Sequence, residues 1–532
     1  MAETKREIER KYEGSSAAAE GTNLPDLTKV AGVSAVVDEG VAELDATYYD
    51  TADLRLAAAS RTLRRRTGGD DAGWHLKLPV ATGVRDEIRA PLSDTVPRTL
   101  AGLVRAVVRE AELVPVVRLI SSRDVRHLVD ADGALLAELS VDAVRAERLT
   151  DGGGTSEWTE IEVELADGGD PALLDKVEKK LLKAGLRPSA WASKLARALA
   201  DTAPEGTEAA ADESGTKSGS KAKAKAEAKD KAKDDGPPTA GDHVLAYLRT
   251  QRDALVELDP AARRDLPDSV HQMRVATRRM RSAFRSYRKV IDRAVTDPIG
   301  DELKWLAAEL GVDRDREVLT ERIQQGLTEL PRTLISGPVR GRLRTWSAAR
   351  RSGSRRHLVA VLDSKRYLAL LDTLDALLDA PPLRPAAAKP PAAVIAKAVL
   401  RDYKRLSAHV QEALDAPPAT EARDLAMHEA RKKAKRTRYA AEAATPALGK
   451  PAKRLVRYMK DLQNLLGEHQ DSVMVRGALR DLAAQAHAAG ESSFTYGVLY
   501  GREEHKAAAY EDQLPAKSPG QHPSYAADLR AG

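Results

Sequence analysis

Three short stretches of the sequence set charged residues on alternate positions. Glu7, Glu9 and Lys11 stand two apart, as do Arg64 and Arg66, and as do Glu160, Glu162 and Glu164. In an extended strand, residues i, i+2 and i+4 share a face, so each set would present its charges together. Carboxylates gathered on one face can hold a hard divalent cation through oxygen. Arginine forks on another face bind phosphate oxygens in pairs and stay charged. One account of such faces is that they look to water on an ordinary sheet. Three of them, with acids segregated from arginines, fit better a barrel with a polar lumen, one wall for a cation and the other for phosphate.

A second charged pattern has the period of a helix. His271, Arg274, Arg278, Arg281 and Arg285 follow spacings of three and four. At about 100° per residue they share an arc of roughly 80° and a stripe roughly 20 Å long. Between residues 271 and 289 there are seven Lys or Arg and no acid, so no i,i+4 pair relieves the repulsion. Met273, Met280, Phe284 and Tyr287 fall on the opposite side as a packing face. His428, Arg431, Lys435 and Arg438 repeat the stripe, flanked by Lys432 and Arg436. A stripe of unpaired like charge needs an anion or a facing acid, and anion binding is the expectation.

The elements that must position these residues divide the chain. At 532 residues it exceeds what one hydrophobic core supports. Residues 1–200 read mostly as short alternating strands between Gly- and Asp-rich turns, with helices near 93–111, 170–184 and 190–201. The spacing predicts an antiparallel barrel with helices outside. Residues 201–240 lack large apolar side chains and read as a disordered linker. Residues 241–510 are helical, with Pro-rich breaks near 260–267, 380–391 and 416–420. VHQMRVATRRMR (270–281) aligns with MHEARKKAKRTR (427–438), and LKWLAAELGVDRD (303–315) with MKDLQNLLGEHQD (459–471). The separations, 157 and 156 residues, predict two tandem units, about 241–378 and 392–510. Residues 511–532 read as a disordered tail.

Composition narrows the chemistry. There is no cysteine, which excludes disulfides and thiolate metal sites. A net charge of only +5 leaves room for strong local fields, because the charges lie in blocks. The charged N-terminus has no apolar signal segment, and no run approaches the roughly 20 apolar residues of a membrane span. A cytoplasmic location is expected. Specific nucleic-acid binding is not, because the basic stripe lacks interleaved aromatics for stacking and has few Asn or Gln for base edges.

The run Glu7-Ile8-Glu9-Arg10-Lys11 resembles the ExExK signature of the CYTH domain, the triphosphate tunnel metalloenzymes. The likeness continues through Tyr48-Tyr49-Asp50-Thr51, Leu63 to Arg66, Lys77, Arg85 with Glu87, Arg118, Arg123, Glu138 with Asp142, Glu160 to Glu164, and Ser193-Lys194. It implies an eight-stranded antiparallel tunnel. It assigns a divalent metal, Mg²⁺ or Mn²⁺, to Glu7, Glu9 and Glu164, with Glu160 and Glu162 on the same acidic wall. It assigns triphosphate oxygens to Lys11, Arg64, Arg66, Lys77, Arg118, Arg123 and Lys194. Glu7, Glu9, Lys11, Glu160, Glu162 and Glu164 would then form the catalytic set.

The helical half resembles the CHAD domain on HxxRVxxRRxR, HxxRKxxKRxRY and the LGxxRD and LGxxxD elements. That likeness implies two four-helix bundles related by pseudo-twofold symmetry, with inorganic polyphosphate bound in a basic groove. The matching residues are His271, Arg274, Arg278, Arg281, His428, Arg431, Lys432, Lys435 and Arg438, with Arg285 extending the first stripe. Asp315 and Asp471 match acidic positions and are expected to orient arginines. Together the resemblances imply a multidomain α+β protein that hydrolyses inorganic triphosphate or short polyphosphate in the tunnel and captures polyphosphate on its helices. The alternatives are a non-catalytic polyphosphate binder at granules, and a nucleotidyl cyclase or organic triphosphatase.

Overall fold

A computed structural model describes residues 3–14, 24–150, 152–204, 237–311, 314–348 and 351–531. The chain separates into two compact units. Most of the expected linker, 205–236, lies outside the described residues.

The first unit contains β1 (Glu3–Glu13), β2 (Ala35–Asp50), β3 (Thr62–Thr67), β4 (Gly73–Ala81), β5 (Val84–Ala90), β6 (Val114–Val129), β7 (Leu135–Arg148), β8 (Thr155–Leu165) and the two-residue β9 (Arg187–Pro188). Helices α1 (Arg55–Ala58), α2 (Arg98–Val108), α3 (Ala172–Lys183) and α4 (Lys194–Asp201) accompany them. The sheet runs β5-β4-β3-β2-β6-β7-β8-β1, and β1 bonds back to β5, closing an eight-stranded antiparallel barrel. Closure leaves no open edge among these eight strands, and β9 is a short addition to β1.

Alternation along the strands then sorts the side chains into two environments. Charged positions turn inward, while Leu63, Trp74, Leu76, Leu78 and Ile88 turn outward beneath Leu100, Leu103, Val104 and Val108 of α2. Tyr12, Ile161, Val163 and Leu139 likewise pack under Leu173, Val177 and Leu181 of α3, with Ile8 at the margin. The hydrophobic core of this barrel is therefore a shell around it. One helix departs from the expected exterior placement. Leu195 and Ala198 of α4 pack on Val117, Leu119, Val144, Ala146 and Trp158. Those residues share strand parity with Arg123, Asp142 and Glu160, so α4 stops one end of the inner face.

In the second unit the helices Ala240–Arg263, Ser269–Ser286, Arg293–Glu309 and Arg314–Thr328 open the first repeat, and Val339–Ala348, Arg351–Asp363 and Lys365–Asp379 complete it. The second repeat is Pro391–Asp415, Glu421–Leu448, Lys450–Ala488 and Phe494–Gln513. The basic helices Ser269–Ser286 and Glu421–Leu448 occupy equivalent places and touch. The Tyr287 hydroxyl donates to Ala440 O (2.8 Å), and Arg279 pairs with Glu442 (3.1 Å). Met273, Met280, Phe284 and Tyr287 are all buried, as their spacing required. The repeats are not independent bundles: Ile323, Leu327, Val339 and Leu343 of the first share a core with Val475, Leu479, Leu482 and Tyr496 of the second. The second repeat also runs as one 39-residue helix through LGEHQD, where the first stops at Glu309 and resumes at Arg314.

The expectation of a disordered tail from 511 fails. The last long helix continues to Gln513, and a helix Ser524–Ala531 follows. Leu514 and Leu529 are buried, Tyr525 stacks on Tyr458 (4.7 Å, 3°), and Tyr458 donates to Lys517 O (3.0 Å). Too few apolar residues stand in this segment to signal burial, but they are the ones that dock.

The aspartate of the Tyr-Tyr-Asp-Thr run positions the barrel rather than the chemistry. Buried Asp50 accepts hydrogen bonds from the backbone N–H groups of Thr51, Leu56 and Ala57 (2.7–2.8 Å), fixing the turn into α1. Asp50→Ala strands these donors. It should destabilise the first unit by roughly 3 kcal/mol, read as an earlier urea transition of that unit's fluorescence.

Candidate functional site

The inward face of the barrel encloses a cavity of about 560 Å³ lined by nine Lys or Arg and nine Asp or Glu. Strand register arranges these charges as opposed pairs. Glu9 lies across from Glu164 and Lys11 from Glu162 between β1 and β8. Arg123 faces Asp142, and Lys77 faces Glu87.

On the acidic wall, each expected metal ligand is held by an ammonium group. Glu7 Oε2 lies 2.6 Å from Lys77 Nζ, Glu9 Oε2 3.4 Å from Lys11 Nζ, and Glu164 Oε1 2.5 Å from Lys5 Nζ. Glu7 is buried, and Lys77 is the cation against its Oε2. Burial, reinforced by Glu87 and Glu164, raises the Glu7 pKa, with Lys77 only partly offsetting it. Burial acts the same way on Glu9, but Lys11 and Lys77 outweigh it and the net shift is downward. Lys11 contacts Glu160 (3.4 Å) and, closely, Glu162. Burial disfavours its charge, yet Glu162, Glu9 and Glu160 prevail and hold it protonated. Lys194, the first residue of α4 behind the capping Ser193, reaches Asp142 (3.0 Å), Glu160 (3.3 Å) and Glu162 (2.6 Å). Glu162 therefore stays ionised well below the usual range: burial opposes this, but Lys11, Lys194 and Arg123 dominate. Glu160 lies under these lysines, off the cavity surface.

On the basic wall, Arg64 donates to the Tyr48 hydroxyl (3.3 Å) and lies 3.7 Å from Glu87. Arg66 pairs with Asp71. Burial, then repulsion from Arg64 and Arg123, brings the Arg66 pKa down to about 9. Arg123 makes a bidentate pair with Asp142 (2.6 and 2.8 Å) and reaches Glu162 (3.1 Å). His75 bonds Glu87 (2.9 Å), and burial lowers its pKa to about 4.

Arg118 is the expected phosphate ligand that this geometry excludes. It pairs with Asp45 (2.6 Å) and is 44% exposed on the outer face. It stands five positions from Arg123, an odd spacing, and so faces the opposite way on one strand. Conversely, Lys5, Arg85, Glu87, Arg89, His127 and Glu138 line the cavity without having been given a role. The signal for them was the same period of two: Lys5 precedes Glu7 by two, Arg85, Glu87 and Arg89 alternate, and His127 is four from Arg123.

In the helical unit both basic stripes meet. Arg431, Arg278 and Arg438 all act on Lys435; together with burial, the largest cause, they lower its pKa to about 8 against a pull from Asp471. The Nε atoms of Arg278, Arg281 and Arg431 are buried without hydrogen bonds. Burial, with Arg285 and Arg278 nearby, lowers the Arg281 pKa as well. Arg281 and Arg285 open on a hollow of about 190 Å³ with Arg293, Asp297 and Asp301. Asp471 lies 3.6 Å from Arg431, and His428 bonds Gln470 (2.5 Å). Arg438 bonds Glu442 (2.8 Å) and Gln463 (3.1 Å), and exposed Lys432 pairs with Glu429 (2.7 Å). His271 and Arg274 lie partly buried on the first stripe. The glycine of the LG element lies against an arginine in each repeat. A Cβ on Gly311 would stand 2.8 Å from Arg274 Cζ, and one on Gly467 would touch the Arg431 guanidinium at 3.7 Å. The side chain of Asp315 lies outside the described residues.

The family model of the CYTH domain matches residues 5–198, and that of the CHAD domain matches 246–480. The uncharacterized proteins MT2285 and Rv2226 of Mycobacterium tuberculosis are each 38% identical to this chain over 526 residues, covering 96% of it and 95% of their own length. Among solved structures, PptA from Streptomyces chartreusis is similar at 22% identity and a TM-score of 0.44, over 53% of this chain and 99% of its own. The CHAD domain from Ricinus communis is similar at 25% identity and a TM-score of 0.42, over 53% of this chain and 91% of its own. CYTH domains act on triphosphates, generally with divalent metals. The chain belongs to the family in which a CYTH triphosphate tunnel domain is followed by a CHAD domain.

Proposed function

We propose that the tunnel hydrolyses inorganic triphosphate or short polyphosphate with Mg²⁺ or Mn²⁺, and that the helical unit binds longer polyphosphate along its paired basic helices. The observation that supports this most is the lumen itself, a cavity of about 560 Å³ walled by equal numbers of acids and bases. The residues fit a hard cation: Glu7, Glu9 and Glu164 supply oxygen only, on adjoining strands. When bound, the metal would polarise the phosphoryl group and favour ionisation of an attacking water. Arg64, Arg66, Lys77, Arg123 and Lys194 bind the phosphate oxygens and neutralise their charge, which is most of what phosphoryl transfer requires. As Lys11, Lys194 and Arg123 turn to phosphate, Glu162 loses the partners that keep it a weak base. It is then the wall carboxylate placed to accept a proton.

Phosphate release from triphosphate, long polyphosphate, ATP and thiamine triphosphate tests the reading. Triphosphate should be the best substrate, and no metal-dependent release from any of them would overturn hydrolysis. Glu7→Ala or Glu9→Ala should abolish turnover while polyphosphate binding persists. Arg123→Ala should cost on the order of ten-fold or more in kcat/KM, whereas Arg118→Ala, on an exposed pair, should stay within about two-fold.

Polyphosphate binding should depend on pH through Lys435. Its pKa of about 8 in the free protein rises when phosphate replaces repelling arginines as its neighbour. Binding then takes up a proton, so affinity is full below pH 8 and falls as pH rises through it. Titrations at pH 7 and 9 should show that loss, and Lys435→Arg should flatten it.

A further inference from the structure

We propose that Asp424, His469 and Glu511 form a site for one divalent transition-metal ion of the Zn²⁺ kind in the helical unit, separate from the tunnel. Three helices supply the residues: Asp424 from the first turn of Glu421–Leu448, His469 from the middle of Lys450–Ala488, and Glu511 from the end of Phe494–Gln513. One ligand atom from each lies within 4.8 Å of the others.

The histidine carries the inference. His469 is 0% exposed, and neither ring nitrogen makes a hydrogen bond. Its Nε2 points between two carboxylates, 3.3 Å from Asp424 Oδ1 and 3.5 Å from Glu511 Oε1. An imidazolium donating to either acid would stand about 2.7–2.9 Å from it, and both contacts are longer than that. The two nitrogen–oxygen spacings suit coordination instead, since bonds of about 2.1 Å at a tetrahedral angle separate ligand atoms by about 3.4 Å. The remaining oxygens are already fixed from outside. Asp424 Oδ2 accepts from Arg476 (2.9 Å), while Glu511 Oε2 accepts from Ala419 N (3.2 Å) and lies 3.3 Å from Arg423 Nε. Such outer partners orient metal-binding carboxylates and leave the facing oxygens free. One imidazole with two carboxylates suits Zn²⁺ better than Mg²⁺, which prefers oxygen and keeps its waters.

The site is confined to the second repeat. By the alignment above, Asp313 stands in the first repeat where His469 stands in the second. A metal there would clip together three helices at the start of the one that bears His428 and Arg431. Its role is to stiffen the anion-binding helix, and it does not depend on tunnel chemistry.

The test uses the full chain carrying Glu7→Ala and Glu9→Ala, stripped with chelator and titrated with Zn²⁺ and Co²⁺. One equivalent of Zn²⁺ should bind and raise the unfolding temperature of the helical unit, and Co²⁺ should give the visible absorption of a four-coordinate site. Asp424→Asn, close in shape to the original, should weaken binding on the order of ten-fold or more, as should His469→Gln. Absence of a bound equivalent in the parent, or an equivalent unchanged by both substitutions, overturns the proposal. The parent titration decides even if a variant fails to fold.

Discussion

The barrel depends on one constraint: charges turned inward must neutralise one another, because water cannot do so fully. Burying an isolated ammonium or carboxylate is costly, and paired burial roughly breaks even at best. The register answers by setting Lys11 against Glu162, Arg123 against Asp142 and Lys77 against Glu87. With the interior committed to charge, apolar burial has to be found outside. Helices α2 and α3 exist to cover Trp74, Ile88, Ile161 and Val163, which would otherwise face solvent. An apolar patch that faces inward is closed by α4, whose first residue, Lys194, also joins the charged network. The plug and the site are thus the same element.

The helical unit meets the opposite problem. There, like charges converge, and few acids relieve them. The cost appears at Lys435 and Arg281, whose charged forms are disfavoured. Gly311 and Gly467 lie beneath two of these arginines, Arg274 and Arg431. Duplication has preserved this device in both repeats, while the helix that carries it stays continuous in only one.

Much of this was legible in the sequence. Period-two charge in Glu7, Glu9 and Lys11, and in Glu160 to Glu164, predicted an inward charged face, and the period of three to four predicted the basic stripes. Arg118 shows where motif matching outran physics, since its odd spacing from Arg123 already set it on the other face. Asp50 shows the reverse, a motif residue kept for a backbone turn. Which acid meets which base could not be read, because it depends on register between strands distant in sequence. The same holds for Asp424, His469 and Glu511, which only the packing of three helices brings together. The docked C-terminal segment was missed because Leu514, Tyr525 and Leu529 are scattered among polar residues.

The balance of nine acids and nine bases around the lumen has a thermodynamic consequence. A phosphate chain entering alone would claim the lysines and leave their carboxylates bare, and a cation entering alone would leave the lysines bare. Each guest therefore removes the penalty that the other would face. Anion and metal should bind with positive cooperativity, each raising the affinity for its companion by the same factor. On this view the tunnel is a lock whose two halves turn together, and it discriminates against any anion that arrives without its metal.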